Sequence, residues 1–193
     1  MATDNLVQTP PPHLRSKEQT AVAMRDVLIA LAPVTIAALV AFTYNALFVI
    51  AVCVGSCMFF EWAVRKLRKK KVTLRDGSAA VTGLLLALLM PAQIHWLNMI
   101  IASFIAIVVI KELMGGLGRN IFNPALFGYV FIITCSGILA SWTGHLGFLS
   151  AGFDGVTGAT PLAFIGPGLE SMGPSYGSLL FANYGGAISE VGA

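Results

Sequence analysis

The stretch whose residue types could do chemistry is Asp154-Gly155-Val156-Thr157-Gly158-Ala159-Thr160, followed by Pro161. Its reactive group is the hydroxyl of Thr160. A threonine oxygen is a weak nucleophile, but with an outside base and an activated phosphoryl donor it can accept a phosphoester bond. Gly158 and Ala159 carry almost no side chain, so a second protein's active site could close over the backbone there. Thr160 therefore reads as an attachment point for a cofactor. The same residue types also favour turns, which is the plain alternative. The three cysteines offer no comparable chemistry. Cys53 and Cys57 are four apart in an apolar run and share a helix face, and Cys135 stands alone in another. None has metal-ligand spacing, and cysteine in such a setting packs as a small hydrophobe.

The elements that must position Thr160 belong to a membrane protein. Of 193 residues, 56% are hydrophobic and 11% charged, where a soluble domain carries about a quarter charged. Mean hydropathy is +0.81. The formal net charge is only +3, and all 12 Lys and Arg lie at or before Arg119. That distribution argues against a nucleic-acid partner.

Residues 1–23 read as a polar N-terminal tail containing Pro10-Pro11-Pro12, without the apolar core of a signal peptide. No charge occurs from Val27 to Phe60. A straight helix of that length would run about 50 Å, against a hydrocarbon core of about 30 Å. The run must therefore be two helices, expected near 26–43 and 46–64, with a hairpin at Thr43-Tyr44-Asn45 and a tolerated kink at Pro33. Glu61 and Trp62 fall near the end of the second, at interface depth. The sequence RKLRKKK follows at 65–71. A third apolar run, 77–91, is short for a full span and is interrupted by Gly83. It is either a discontinuous helix ending inside the protein or a thin, tilted one. A fourth helix is expected from Trp96 to Ile110, ending at Lys111 and Glu112. Asn123 as N-cap with Pro124 at the first helical position starts a fifth, which is expected to run to about Trp142.

Charge sets the expected orientation. With the N-terminus cytoplasmic, the RKLRKKK cluster, Lys111 and Arg119 all return to the cytoplasmic side. The transmembrane domain is then 24–142. An outer-side loop, 143–178, carries Thr160, and 179–193 begins a further membrane segment too short to span. Membrane lipid is an expected partner, with anionic lipid at the basic cluster a secondary role. Asp76, Glu112 and Glu190 are the acids weighed as ion ligands. Each lies near an expected helix end, where a charge is cheap, and none stands out.

Several stretches together resemble one family. Asp154-x-x-Thr157-Gly158-Ala159-Thr160 looks like the acceptor pattern Asp-x-x-Ser/Thr-Gly-Ala-Thr of flavin transferases. A chance match to its five specified positions in a chain this long is on the order of one in a thousand. PHLRSKEQT at 12–20, DGSAAVTGLLLALLMP at 76–91, GGLGRNIFNPALFG at 115–128, DGVTGATPL at 154–162 and NYGGAISEVG at 183–192 resemble the family of the D-type subunit of the Rnf complex. That complex is an ion-translocating ferredoxin:NAD oxidoreductase, and the B-type subunit of the sodium-pumping NADH:quinone reductase is a cousin. Ser189 stands where the family pattern has glycine before Glu190. The resemblance implies FMN joined to Thr160 by a phosphoester, with Asp154, Thr157, Gly158 and Ala159 as the recognition sequence of a flavin transferase working outside the cytoplasmic membrane. It also implies a non-covalent riboflavin site in which the family's paired asparagines match Asn120 and Asn123. Two amides spaced by three could hydrogen-bond a flavin's polar edge, while helix capping is the other use for them.

The expected fold is an all-α polytopic membrane protein with about five to six transmembrane helices present, some short or broken. The family fold is urea-transporter-like. Family members continue for several helices beyond Gly192, so the chain is expected to be truncated or a fragment. The expected function is a flavin-carrying subunit of the bacterial inner membrane, passing electrons among the other subunits of an Rnf-type complex, with no catalytic residues of its own. The alternatives are a small-solute channel or transporter and a passive scaffold subunit.

Overall fold

The computed structural model describes residues 20–69, 76–92, 94–116, 120–136 and Ile188. Among them there is no strand, and the protein is an all-α, multi-pass membrane protein. Three helices are long and apolar enough to cross a membrane: α1 (Thr20–Val40), α2 (Phe42–Leu67) and α4 (Trp96–Leu113). Two shorter ones, α3 (Ser78–Leu89) and α5 (Pro124–Ser136), complete the helices among the described residues.

The charge-free run is broken as expected. Thr43 has φ 45° and ψ −111°, a conformation a β-branched residue rarely adopts. The break reverses the chain. Met24 lies beside Gly77, where an added Cβ would meet Met24 Cβ at 3.6 Å, and Lys111 bonds both Glu61 and Ser78. Met24 and Glu61 are thus at one end of the molecule, whereas a straight helix would separate them by about 55 Å. Pro33 sits inside α1, where Thr35 Oγ1 donates to the Leu31 carbonyl at 2.8 Å.

The inner face of α2 follows one helical stripe: Phe42, Ala46, Val49, Cys53 and Cys57 are all buried. Cys53 and Cys57 pack there as small side chains, while Cys135 on α5 is exposed. Between helices in lipid, oil-like burial gives little drive, so close backbone approach carries the packing. Two glycines make it. A Cβ on Gly83 would lie 2.7 Å from Val54 Cα, and one on Gly128 2.7 Å from the Ala102 carbonyl oxygen. Helix α3 therefore crosses α2, and α5 crosses α4, nearly backbone to backbone.

The short run at 77–91 is a discontinuous helix. Twelve residues of α3 reach about 18 Å, well short of about 30 Å. The chain then leaves the helix at Met90 (φ −81°, ψ 152°) and continues through buried Met90, Ala92 and Ile94. The Met90 carbonyl accepts a hydrogen bond from the backbone N–H of Ile188 at 3.2 Å, and Ile188 is itself fully buried. The half-helix thus ends inside the protein on a segment far along the chain.

Helix α4 begins at Trp96 under His95, whose Nδ1 accepts from the Leu97 N–H. Its second half, Ile105–Leu113, is a π-helix. The sequence-based end at Ile110 is corrected: the helix runs on through Lys111 and Glu112 to Leu113. The wide i→i+5 turn places Ala106 under Lys111 and Ile107 under Glu112, and all four are buried. The N–H of Gly116 closes the segment on the Lys111 carbonyl at 2.8 Å. The expectation that α5 reaches Trp142 lies partly outside the described residues. Within them α5 ends at Ser136.

Candidate functional site

The motif residues Asp154, Thr157, Gly158, Ala159 and Thr160 lie outside the described residues, as do the expected outer loop and Glu190. The described part holds two other polar sites, one at the end of α2 and one at the entrance to α5.

The first site is a buried charge cluster. Glu61 continues the inner stripe of α2 four residues after Cys57 and is fully buried among its neighbours. Its Oε2 accepts from Lys111 Nζ at 3.0 Å. Its Oε1 lies 3.0 Å from Arg65 Nη2, one turn on, yet has no aligned hydrogen bond, so this contact is a charge pair only. Arg65 Nε donates to Glu112 Oε1 at 2.8 Å, and Arg68 Nη1 donates to the Glu112 backbone carbonyl at 2.7 Å. Lys111 Nζ also donates to Ser78 Oγ at 2.7 Å, and that hydroxyl donates to Asp76 Oδ1 at 2.8 Å. Glu61 and Glu112 are thereby balanced by Lys111 and Arg65.

Burying four charges is costly unless each is paired, and here each finds an opposite partner. The two described acids weighed as ion ligands are both engaged. Asp76 Oδ1 accepts from the Ser78 N–H and hydroxyl, and Glu112 is held by Arg65. The cluster ties α2, α3 and α4 together at one end. Sequence reasoning missed it. The available signal was the spacing Cys53, Cys57, Glu61, Arg65, which places Glu61 on a buried stripe with a cation four residues on. Nothing local ties either residue to Lys111 or Glu112.

The second site is the asparagine pair, whose members have different fates. Asn123 caps α5: its Oδ1 accepts from the Ala125 N–H at 3.0 Å and lies 3.5 Å from the Leu126 N–H. Its carbonyl oxygen is thus committed to the helix, as an N-cap requires. The Oδ1 of Asn120 is buried with no hydrogen-bond partner among the described residues. An orphaned buried carbonyl costs about 1–3 kcal/mol and calls for an explanation such as an external donor. A flavin ring carries an N–H on its polar edge, so Asn120 fits a non-covalent flavin as an acceptor. The structure gives Asn123 no such role through its oxygen.

A family model described as the NQR2, RnfD, RnfE family matches residues 7–193. Over 195 aligned residues the chain is 40% identical to the D-type subunit of the Na(+)-translocating ferredoxin:NAD(+) oxidoreductase complex of Acetobacterium woodii, covering 98% of this chain and 59% of that protein. It is 38% identical over 154 residues to the D-type subunit of the proton-translocating ferredoxin:NAD(+) oxidoreductase complex of Clostridium ljungdahlii, covering 80% of this chain and 46% of that one. It is 32% identical over 211 residues to the D-type subunit of the ion-translocating oxidoreductase complex of Salmonella arizonae, covering 94% and 60%. The chain thus spans between about half and three fifths of the length of these curated relatives.

Proposed function

The chain belongs to the NQR2, RnfD, RnfE family, and from that premise we propose that it is a flavin-carrying membrane subunit of an ion-translocating ferredoxin:NAD oxidoreductase of the Rnf type. Electrons pass through an FMN joined to Thr160. The observation that carries this reading is the acceptor pattern Asp154-x-x-Thr157-Gly158-Ala159-Thr160 in a chain 40% identical to a relative named for that reaction. The FMN, once attached, supplies the redox chemistry, and the protein's part is to hold it in place and set its surroundings. A flavin transferase makes the bond, supplying the base and the activated phosphoryl donor that a threonine hydroxyl needs. A non-covalent riboflavin is taken up at Asn120. The partners are the other subunits of the complex.

The N-terminus and the basic run at 65–71 face the cytoplasm across a bacterial inner membrane, and Thr160 faces outward. This orientation is supported by Met24, Arg65, Arg68 and Lys111 gathering at one end, so the basic clusters can share one side. The buried half-helix α3 is the observation that favours a small-solute channel as the second reading.

Thr160→Val tests the proposal, since it keeps the shape and removes the hydroxyl. The wild-type band is expected to fluoresce in a denaturing gel, and the intact chain to be heavier by one FMN phosphoester. In Thr160→Val both signals vanish while the protein still inserts and assembles. A folding cost within about 0.5 kcal/mol is expected, as for a surface change. Thr160→Ser retains part of the modification, and Thr157→Val is milder than Thr160→Val. An unmodified wild-type chain from a strain with an active transferase would favour the channel or a passive scaffold. Label mapping to another residue in Thr160→Val would end the assignment.

A further inference from the structure

The basic run after α2 is divided between two jobs. Its arginines reach the buried cluster: half-buried Arg65 pairs with Glu61 and Glu112, and Arg68, itself exposed, donates to the Glu112 carbonyl. Its lysines do not. Lys66 and Lys69 are exposed, and among the described residues neither has a carboxylate within ion-pair distance. Lys66 Nζ instead lies 4.7 Å over the ring of Trp62. Trp62 is itself exposed and stands beside exposed Phe59, ring centroids 6.1 Å apart.

These residues form one outward stripe of α2. Phe48, Gly55, Phe59, Trp62 and Lys66 recur at helical spacing and are all exposed. Lys69, in the left-handed conformation at φ 53°, closes the helix with its N–H on the Lys66 carbonyl at 3.2 Å. Read toward the helix end, the stripe is apolar, then aromatic, then cationic. A phospholipid presents the same order of chemistry: acyl chain, interfacial glycerol, phosphate. A compact ammonium on a flexible stem suits a mobile phosphate.

We propose that Trp62, Lys66 and Lys69 form a binding site for an anionic phospholipid, in which the two ammonium groups take the headgroup phosphate and the Trp62–Phe59 face takes the start of the acyl chain. Lysines at a helix C-terminus also complement the helix dipole, but that use makes no distinction between lipids. Lipid selectivity is therefore the deciding measurement. The proposal is independent of any flavin.

The test uses the full chain in nanodiscs of phosphatidylcholine containing a titrated fraction of phosphatidylglycerol, with retained lipid counted by native mass spectrometry. Each lysine near an anionic headgroup is worth a factor of about five, so a preference for phosphatidylglycerol of about 25-fold is expected. Lys66→Gln with Lys69→Gln should bring that preference to within a few-fold of parity. Lys66→Arg with Lys69→Arg should keep it, which excludes loss by misfolding. Soluble glycerol phosphate should not displace the bound lipid. Equal retention of the two lipids by the wild type would overturn the proposal. So would an undiminished preference in the double glutamine variant, or displacement by glycerol phosphate, which would mark a phosphate site without a lipid.

Discussion

The two polar sites handle buried polar atoms in opposite ways. At the end of α2, the charges of Glu61, Arg65, Lys111 and Glu112 are balanced within the protein. At the entrance to α5, the Asn120 oxygen is buried and finds no donor among the described residues. Both are expensive environments. In the first the protein supplies its own partners, and the result is a clamp joining α2, α3 and α4. In the second no described residue supplies the partner. A buried network whose charges are balanced reads as structure, even though Glu61 Oε1 meets Arg65 as a charge pair without an aligned hydrogen bond, and a buried acceptor with neither a charge partner nor a donor reads as a place for a ligand. The contrast separates two asparagines that the sequence presents as a pair, because Asn123 is satisfied by its own helix.

The contrast breaks most visibly at Lys111. Lys111→Met leaves the Glu61 carboxylate buried beside Arg65 alone and takes the donor from Ser78. A loss of about 3–5 kcal/mol is expected, as when one partner of a buried pair is removed. Denaturant titration of the reconstituted chain measures it. Glu61→Leu in the same chain should restore most of that loss, because no uncompensated carboxylate remains. If Lys111→Met costs nothing, the cluster is not a clamp.

A smaller effect is expected at Asn123. Asn123→Ala removes the cap on the Ala125 N–H and should cost about 1 kcal/mol in the same titration. Non-covalent flavin, measured after extraction from the assembled complex, should stay at the wild-type level. Flavin loss in Asn123→Ala would return the two asparagines to a shared role.

The smallest stability change belongs to Asn120, and it sharpens the contrast most. Asn120→Leu removes a buried oxygen with no donor among the described residues, so stability should hold or rise by up to about 1 kcal/mol. The extracted non-covalent flavin should fall while the covalent flavin stays. A destabilised Asn120→Leu chain with unchanged flavin would show that the oxygen is paired within the protein.

Local features were legible because local rules govern them. The chain reversal near Thr43 follows from arithmetic: a charge-free run too long for one span must turn, and the polar Thr43-Tyr44-Asn45 marks where. The short α3 was readable from its length and the bounding Gly77 and Pro91, although only the structure chose a discontinuous helix over a tilted one. The α5 N-cap was readable because Asn-Pro at a helix start acts over three residues. The likeness to the NQR2, RnfD, RnfE family was also present in short motifs, and the family match over residues 7–193 bears it out.

The charge cluster was not legible, and the reason is distance along the chain. Lys111 meets Glu61 across 50 residues and Ser78 across 33, and no periodicity within α2 or α4 encodes those meetings. Read singly, Glu112 looked like a charge at a helix end, where solvation is cheap. Two tertiary facts put it and Glu61 among buried partners instead. A π-turn in α4 rotates consecutive charged residues onto one inner face, and the reversal at Thr43 brings the end of α2 against it. By itself the sequence determined that this chain crosses a membrane in helices, where it turns, which threonine carries an acceptor pattern and which asparagine caps. Tertiary structure alone decided which charges are buried together and that the buried Asn120 oxygen finds no donor among the described residues, because pairing depends on where separate helices meet and not on what any one of them contains.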